Sequence, residues 1–479
     1  MASIAESAIA SLREAGLGGV LYIPGQQAYE ARQESYWSLA PRLKPWATVQ
    51  PRNTEEVSKT VKALVGTAGC KFAIRSGGHM SWIGAGNDIH EGVTIDLGLM
   101  AKTTYHPETG LASVQPGGRW KDVYREVDKH GVMVAGGREG KVGVGGFLTG
   151  GGITFYNCRY GWGCDQVVNY EVVLADGSVI EANNTTNSDL FRVLKGGHNN
   201  FGIVTRFDMR TFKAPDIWDG TTIISPAATD EVIEAYVDFS ENIANNADGH
   251  ILAMWTYMPY AKEHFMCMCL TNLDGVENPQ SFQKFLAIPG QQDMKMTTVA
   301  KKVGDFDLPS GIYDSWITTT FKLDGRVIHK AVAAYETLLE EIRKSVPDSN
   351  FHVQMVLQPL IASWAQHTEV RGGNMLGLEN LAEDCVILVI AVELGTLELM
   401  KEVGEPALET MLGEVEAYAT SLDKNAGFLY VNYCGGSQDP LKGYGEENIK
   451  KMKEVAAKYD PTGVFQERVP GGFKISNVK

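Results

Sequence analysis

The chain has 479 residues, 44% hydrophobic and 21% charged, with a formal net charge of -15. That length exceeds one ordinary domain and the composition is that of a soluble globular protein. The acidic balance argues against an extended nucleic-acid or anionic-membrane surface, because polyanions need a basic footprint, so the expected partner is a small molecule, with no nucleic acid and no membrane.

In chain order, Met1 to Ala15 carries Glu6, Arg13 and Glu14 in a helical pattern, with no unbroken apolar run after a basic start. This is not a secretory signal, and the expected compartment is the cytoplasm. No apolar span reaches the roughly twenty residues of a membrane helix. The cysteines, at Cys70, Cys158, Cys164, Cys267, Cys269, Cys385 and Cys434, are odd in number and lack framework spacing, which reads as free thiols in a reducing compartment. Cys267-Met268-Cys269 has no second pair to complete a metal template, so no metal is expected.

After Pro51, Asn53 opens a helix with Val57, Val61, Leu64 and Val65 on one face and Gly66 at its end. Phe72 to Ile74 and Val93 to Leu97 then read as strands flanking Arg75-Ser76-Gly77-Gly78-His79-Met80-Ser81. Paired glycines let backbone approach a ligand and offer successive N–H groups to an anion, with a pyrophosphate the natural guest. A tight turn with an incidental histidine is the competing reading. Ala112 to Gln115 is strand-like, and a helix follows with Trp120, Val123, Tyr124 and Val127 inward, closed by Gly131. Alternating strands and helices predict an α/β layer here.

A second glycine concentration runs from Gly136 to Gly146 and continues as Thr149-Gly150-Gly151-Gly152. It is not a nucleotide P-loop, since Ala135 stands where the first glycine belongs and Val142 where Ser or Thr would bind magnesium. No Gly-x-Gly-x-x-Gly opens a helix either. Beyond Tyr160-Gly161 and Asp165-Gln166-Val167, the run Val172 to Leu174 and the turn Ala175-Asp176-Gly177 predict a hairpin. A third loop, Gly196-Gly197-His198-Asn199-Asn200-Phe201-Gly202, feeds Ile203-Val204-Thr205. Three glycine loops suggest one long ligand laid across them.

From Ala214 to Ser421 the glycines thin out. Trp218, Trp255, Tyr257, Tyr260, Trp316, Phe321 and Trp364 appear among strand-like runs such as Ile251 to Tyr257 and Cys385 to Glu393, with helical stretches at Glu231 to Ile243 and His329 to Lys344. This predicts an antiparallel sheet with helices on one face, supplying an aromatic pocket, although most of these aromatics individually suit a core. Phe428 to Tyr433 reads as a strand with Tyr430 and Asn432 on one face and Val431 and Tyr433 on the other. A last helix buries Ile449, Met452, Val455 and Ala456 and stops at Tyr459-Asp460-Pro461, before a tail with Val464-Phe465.

The order of these motifs, with Gln438-Asp439-Pro440-Leu441 and Tyr444-Gly445-Glu446-Glu447-Asn448, resembles the FAD-linked oxidases of the vanillyl-alcohol oxidase (PCMH-type) superfamily, in the fungal form of the berberine-bridge-enzyme-like branch. The resemblance spans nearly the whole chain. It implies a two-domain α+β fold: residues 1–213 as the N-terminal part of a FAD-binding domain, 214–421 as a substrate-binding domain, and 422–479 returning to the FAD domain. It further implies FAD bound covalently from His79 to the 8α carbon of the flavin. The cofactor contacts it implies fall on Arg75, Ser76, Gly77, Gly78, His79, Met80, Ser81, Gly143, Gly145, Gly146, Thr149, Gly150, Gly151, Gly152, Asp165, Gly202, Ile203, Val204, Tyr430 and Asn432. A second tether found in many relatives is a cysteine, for which this chain has Gly143. The implied activity is that of an oxidase passing electrons from a small, aromatic or polyketide-like natural product to molecular oxygen. The alternative is a cyclase that keeps the flavin without redox chemistry.

Tyr433 and Tyr430 are expected beside the reacting carbon, Tyr433 as the base. A phenol is a poor base near neutral pH unless its anion is stabilised, as a neighbouring cation would do. On an ideal strand the two would face opposite ways. Gln358, His367 and Glu369 are the next polar candidates, with a lining role for each.

Overall fold

The computed structural model describes residues 2–259, 263–305 and 308–478. Tyr260, one of the central aromatics, lies outside them. The first sheet orders Leu21–Tyr22, Ala47–Val49, Val93–Asp96 and Phe72–Arg75, the last three parallel. Parallel neighbours need a crossover, and the helix Thr54–Gly66 supplies one, capped by the Asn53 side chain on Glu56 N at 2.9 Å. Its Val57, Val61 and Leu64 are fully buried with Phe72, Val93 and Ile95, and with Ala8 and Leu12 from the helix Ile4–Glu14. The loop Ser76 to Ser81 therefore leaves the carboxyl end of a parallel strand, where open α/β sheets bind their ligands.

The second sheet is antiparallel, in the order Thr103–His106, Leu111–Val114, Ile203–Arg210, Val167–Val173 and Val179–Asn183. The predicted hairpin is present, with Gly177 at φ 75° in its turn. Trp120, Val123, Tyr124 and Val127 of the helix Trp120–Asp128 are buried in the core beside it.

Seven antiparallel strands form the third sheet: Gly290–Thr297, Ile217–Ile224, Phe265–Asn272, Gly249–Tyr257, Phe351–Leu360, Cys385–Leu394 and Tyr313–Lys322. The helices Thr229–Glu241, Gly325–Arg343 and Glu405–Ser421 cover one face. Alternation sorts the aromatics. Trp218, Trp255, Tyr257 and Phe321 turn to the helical face and are buried there, and Trp364 packs edge-on against Trp162 at 5.8 Å. Trp316 alone looks the other way and stacks on Trp37 at 5.1 Å. The predicted aromatic pocket is thus mostly core, because the largest apolar side chains gain most by taking the covered face.

The chain after Ser421 returns to the first two sheets. Val464, Phe465 and Val469 are buried with the helix Thr54–Gly66, Arg468 O accepts from Phe72 N at 2.8 Å, and Phe473 O accepts from Asn200 Nδ2 at 3.0 Å. Phe428 to Tyr433 is not a strand. Val431–Tyr433 forms a 3₁₀ turn closed by Tyr433 N on Tyr430 O at 2.8 Å, because the edge strand Tyr313–Lys322 pairs with this segment only around Asn425 and Ala426 and the chain leaves it before Phe428. Residues three apart eclipse in such a turn, so Tyr430 and Tyr433 meet edge to face at 4.8 Å instead of parting to opposite faces.

Candidate active site

The loop Ser76 to Ser81 is held from behind. Ser76 Oγ donates to Pro116 O at 2.5 Å and accepts from Gly145 N at 3.1 Å. A Cβ on Gly77 would sit 2.5 Å from Gly143 Cα, so two glycine loops touch backbone to backbone. Among the described residues, none of the amides from Ser76 to Ser81 donates to a protein acceptor. Successive unpaired N–H groups on a glycine loop form an anion cradle. Gly146 faces open space.

At the far side of the cradle, His79 stacks on Trp37, ring centroids 4.6 Å apart and 9° from parallel, with Trp316 beyond. Its Nε2 lies 3.5 Å from Glu139 Oε2, an ion-pair distance. Glu139 is fixed by amides: Oε2 accepts from Lys141 N at 2.7 Å and Val142 N at 2.8 Å, and Oε1 from Leu308 N at 3.3 Å. Burial raises the Glu139 carboxyl, but His79 and these amides outweigh it and hold it below its ordinary range.

The preceding residue reaches elsewhere. Arg138 Nη2 donates to Gln358 Oε1 at 2.5 Å and to Tyr433 Oη at 2.8 Å, and Nη1 meets His250 Nε2 at 3.0 Å. Tyr433 Oη donates to Gln358 Oε1 at 3.3 Å. Burial, then the charges of Arg138 and Lys302, push His250 well below its ordinary range, so its Nε2 is an acceptor. These groups stand on the uncovered face of the seven-stranded sheet, with half-buried Leu252, Met254, Val356 and Trp316 forming an apolar floor. Sequence reading missed Arg138. The one signal was a charged pair, Arg138-Glu139, inside a segment otherwise given to glycine.

Tyr430 differs from Tyr433. Its Oη accepts from Asn432 Nδ2 at 2.9 Å and from Gly152 N and Ile153 N, both at 3.1 Å, and it is 2% exposed. Burial raises its phenol well above the ordinary value. It ties the Thr149–Gly152 loop to the C-terminal segment and has no open side for a substrate, which corrects its assignment as a catalytic group. Gly150 lies against Asn432 and His198, Thr149 O accepts from Gly196 N at 2.9 Å, and Gly151 and Gly152 O accept from Cys164 and Gly163 N. The second and third glycine loops are thereby bound to each other.

Other expected contacts are engaged by the protein itself. Arg75, 1% exposed, donates to Arg32 O at 2.6 Å and Ser35 Oγ at 2.8 Å, pairs with Asp96 at 3.4 Å and stacks over Tyr36. Asp165 accepts from Trp162 N, Thr368 and Asn374 and is raised by burial. Gly202 packs on Val172, while Ile203 and Val204 pair with Val173 and Val172 in the sheet. These three and Asp165 shape the walls by backbone and packing. Of the next polar candidates only Gln358 reaches the site. His367 lies against Cys158 O at 3.3 Å, and Glu369 ends an exposed turn of helix.

Residues 45–183 match the FAD binding domain family. The FAD-dependent monooxygenase drtC of Aspergillus calidoustus is 38% identical over 98% of this chain and 90% of its own. The glucooligosaccharide oxidase of Acremonium strictum, described with a 6-S-cysteinyl, 8α-N1-histidyl FAD, superposes over 97% of this chain and 98% of its own with a TM-score of 0.79 at 18% identity. BBE-like 1 of Physcomitrella patens does so over 96% and 98%, with a TM-score of 0.76 at 18% identity. At those identities the two structures share the fold.

The residues present fit a flavin dinucleotide. The cradle offers consecutive amides for a diphosphate, and the buried Ser81 Oγ, Trp82 Nε1, Trp37 Nε1 and Trp316 Nε1 have no hydrogen-bond partner among the described residues. Buried polar atoms are seldom left so. Gly143 touches Gly77 and has no room for a side chain.

Proposed function

This chain belongs to the family of fungal FAD-dependent enzymes that includes the Aspergillus calidoustus relative, and on that premise we propose that it is a FAD-linked oxidoreductase of the vanillyl-alcohol oxidase type, in the berberine-bridge-enzyme-like branch, which oxidises a small, aromatic or polyketide-like natural product by hydride transfer, with molecular oxygen as final acceptor and FAD tethered through His79 alone. The observation that carries the reading is the pair Arg138-Glu139. Consecutive residues engage the candidate base, Tyr433, and the candidate tether, His79. Both ends of the proposed chemistry thus hang on one loop.

When bound, the flavin supplies the two-electron acceptor. The chain's own groups do the rest. Amides of Ser76 to Ser81 would hold the diphosphate, and Glu139 with Trp37 fixes the ring of His79. With its own phenol proton first passed to solvent, Tyr433 would take the substrate's hydroxyl or amine proton as the phenolate, the charge that Arg138 stabilises by donating to its oxygen. Gln358 fixes that oxygen's direction, and the apolar floor excludes water.

Acid precipitation followed by intact-mass measurement tests the tether. Colour should stay with the pellet of the wild type and leave it in His79→Ala, and a flavin peptide linked through any cysteine would defeat the single attachment. Anaerobic mixing with candidate substrates should bleach the flavin, whereas product formed without bleaching would indicate the cyclase. The name of the Aspergillus relative favours a second reading, in which one oxygen atom enters the product. Labelled molecular oxygen separates the two: label in peroxide alone fits the oxidase, and label in the product fits a monooxygenase.

A further inference from the structure

While the Tyr433 phenol keeps the proton it donates to Gln358, Arg138 is a cation whose protein partners are all neutral. Its contacts are the Tyr433 phenol, the Gln358 amide oxygen and a neutral His250, and no carboxylate of the described residues pairs with it. Nearby anions are occupied. Glu139 serves His79 and three amides, and Asp219 is paired with Lys302 at 2.5 Å and takes the Thr271 hydroxyl at 2.6 Å. Asp314 and Glu393 share this face of the sheet but lie at its other end, beside His352, six residues and about 20 Å along the strand from Gln358. Around Arg138 the open face therefore carries one uncompensated positive charge. A half-buried cation in apolar surroundings is costly unless an anion joins it. Arg138 Nε makes no hydrogen bond, leaving a donor for one.

We infer that the substrate of this site is a largely apolar small molecule carrying one anionic oxygen, a carboxylate or the enolate or phenolate of an acidic hydroxyl, and that Arg138 receives that oxygen. This rests on the proposed function and narrows it. The oxygen would lie beside Tyr433, over the floor of Leu252, Met254 and Val356. Arg138 thereby discriminates between the charged molecule and its neutral isostere, since hydrogen bonds to an ionised group are about twice as strong as neutral ones.

The test uses the flavin-bearing protein as purified and two pairs of unreactive probes: benzoate against benzamide, and 4-hydroxycoumarin, an enolate at neutral pH, against coumarin. Binding is read as perturbation of the flavin absorbance. In the wild type the anion of at least one pair should bind about 10- to 100-fold tighter than its isostere, and the pair that responds tells carboxylate from enolate. Arg138→Gln should bring that ratio to within about threefold, and Arg138→Lys, which keeps the charge, should retain part of it. Equal binding of charged and neutral probes, no response to either anion, or a ratio that survives Arg138→Gln would overturn the inference. If Arg138→Gln does not fold, the wild-type ratio and Arg138→Lys decide. Failure of the underlying reading is seen separately, as a protein that holds no flavin.

Discussion

Replacing Tyr433 by Phe removes one oxygen and leaves the ring in place. Arg138 keeps His250 at 3.0 Å and Gln358 at 2.5 Å, so the guanidinium stays anchored, and Phe at this position still packs edge-on against Tyr430. If Tyr433 merely lines the pocket, the change costs the one charge-assisted hydrogen bond to Arg138, about 1.5–3 kcal/mol, and appears in the protein's stability with the reductive rate little altered. If it is the base, the reductive step itself slows about 100- to 10,000-fold, a barrier increase of about 3–5 kcal/mol, with affinity little altered. Stopped-flow reduction across substrate concentration and pH separates the two, after confirming that flavin content matches the wild type. The expected result is a large fall in the limiting rate and loss of one limb of its pH profile. A fall under about tenfold with the pH profile unchanged refutes the assignment.

Tyr430→Phe should behave differently. It strips the acceptor from two buried amides, Gly152 N and Ile153 N, each worth about 1–3 kcal/mol when left unpaired, while Asn432 Nδ2 keeps Phe147 O, so it should lower the thermal midpoint and loosen flavin while reduction in the molecules that keep flavin stays near wild type. Asp314 is 4% exposed with no hydrogen bond to either carboxylate oxygen, and burial, then Glu393 across the strand, push it up to about 8 from 3.8. Between those values the folded state keeps a proton that the unfolded state has lost, so stability falls as pH rises. Asp314→Asn should therefore gain on the wild type by about 1–3 kcal/mol from pH 5 to pH 7 in denaturant titrations, and a constant difference would show that Asp314 is ionised in the fold. The two-domain layout predicts that a chain ending at Ser421 loses flavin, because residues 422–479 supply Tyr430 to Tyr433 and the buried Val464 and Phe465. A truncation that folds and keeps a normal flavin spectrum would remove it.

What the sequence made legible were the features that depend on local chemistry. The glycine loops stood out because a close backbone approach, such as Gly77 on Gly143, tolerates no other residue. The helices Thr54–Gly66 and Trp120–Asp128 carried their own apolar stripes, and the first its own cap in Asn53. The helix Glu405–Ser421 was overlooked although Leu408, Met411, Leu412, Val415 and Ala419 keep helical spacing. Phe428 to Tyr433 was misread for a physical reason. Tyr, Val and Phe favour strands only where a ladder is kept, and here the pairing with the edge strand Tyr313–Lys322 stops at Asn425 and Ala426, so beyond it the backbone closed its own turn.

The charged centre of the site was illegible on other grounds. Arg138 meets residues 250, 358 and 433, which come from two strands of the third sheet and a C-terminal turn, and no spacing in the sequence joins them. Its meaning depends on what is missing from its surroundings, a counter-charge, and a one-dimensional pattern cannot register that. The same holds for Tyr433, whose proposed role rests on the 3₁₀ turn that faces it to Arg138 while Tyr430 is consumed by the Gly152 loop. Two tyrosines three residues apart, equivalent in sequence, differ in their surroundings by which one keeps a free side. Glu139 completes the arrangement: its charge is spent on His79 and backbone amides, so it cannot neutralise its neighbour, and Arg138 keeps its charge for whatever enters the pocket.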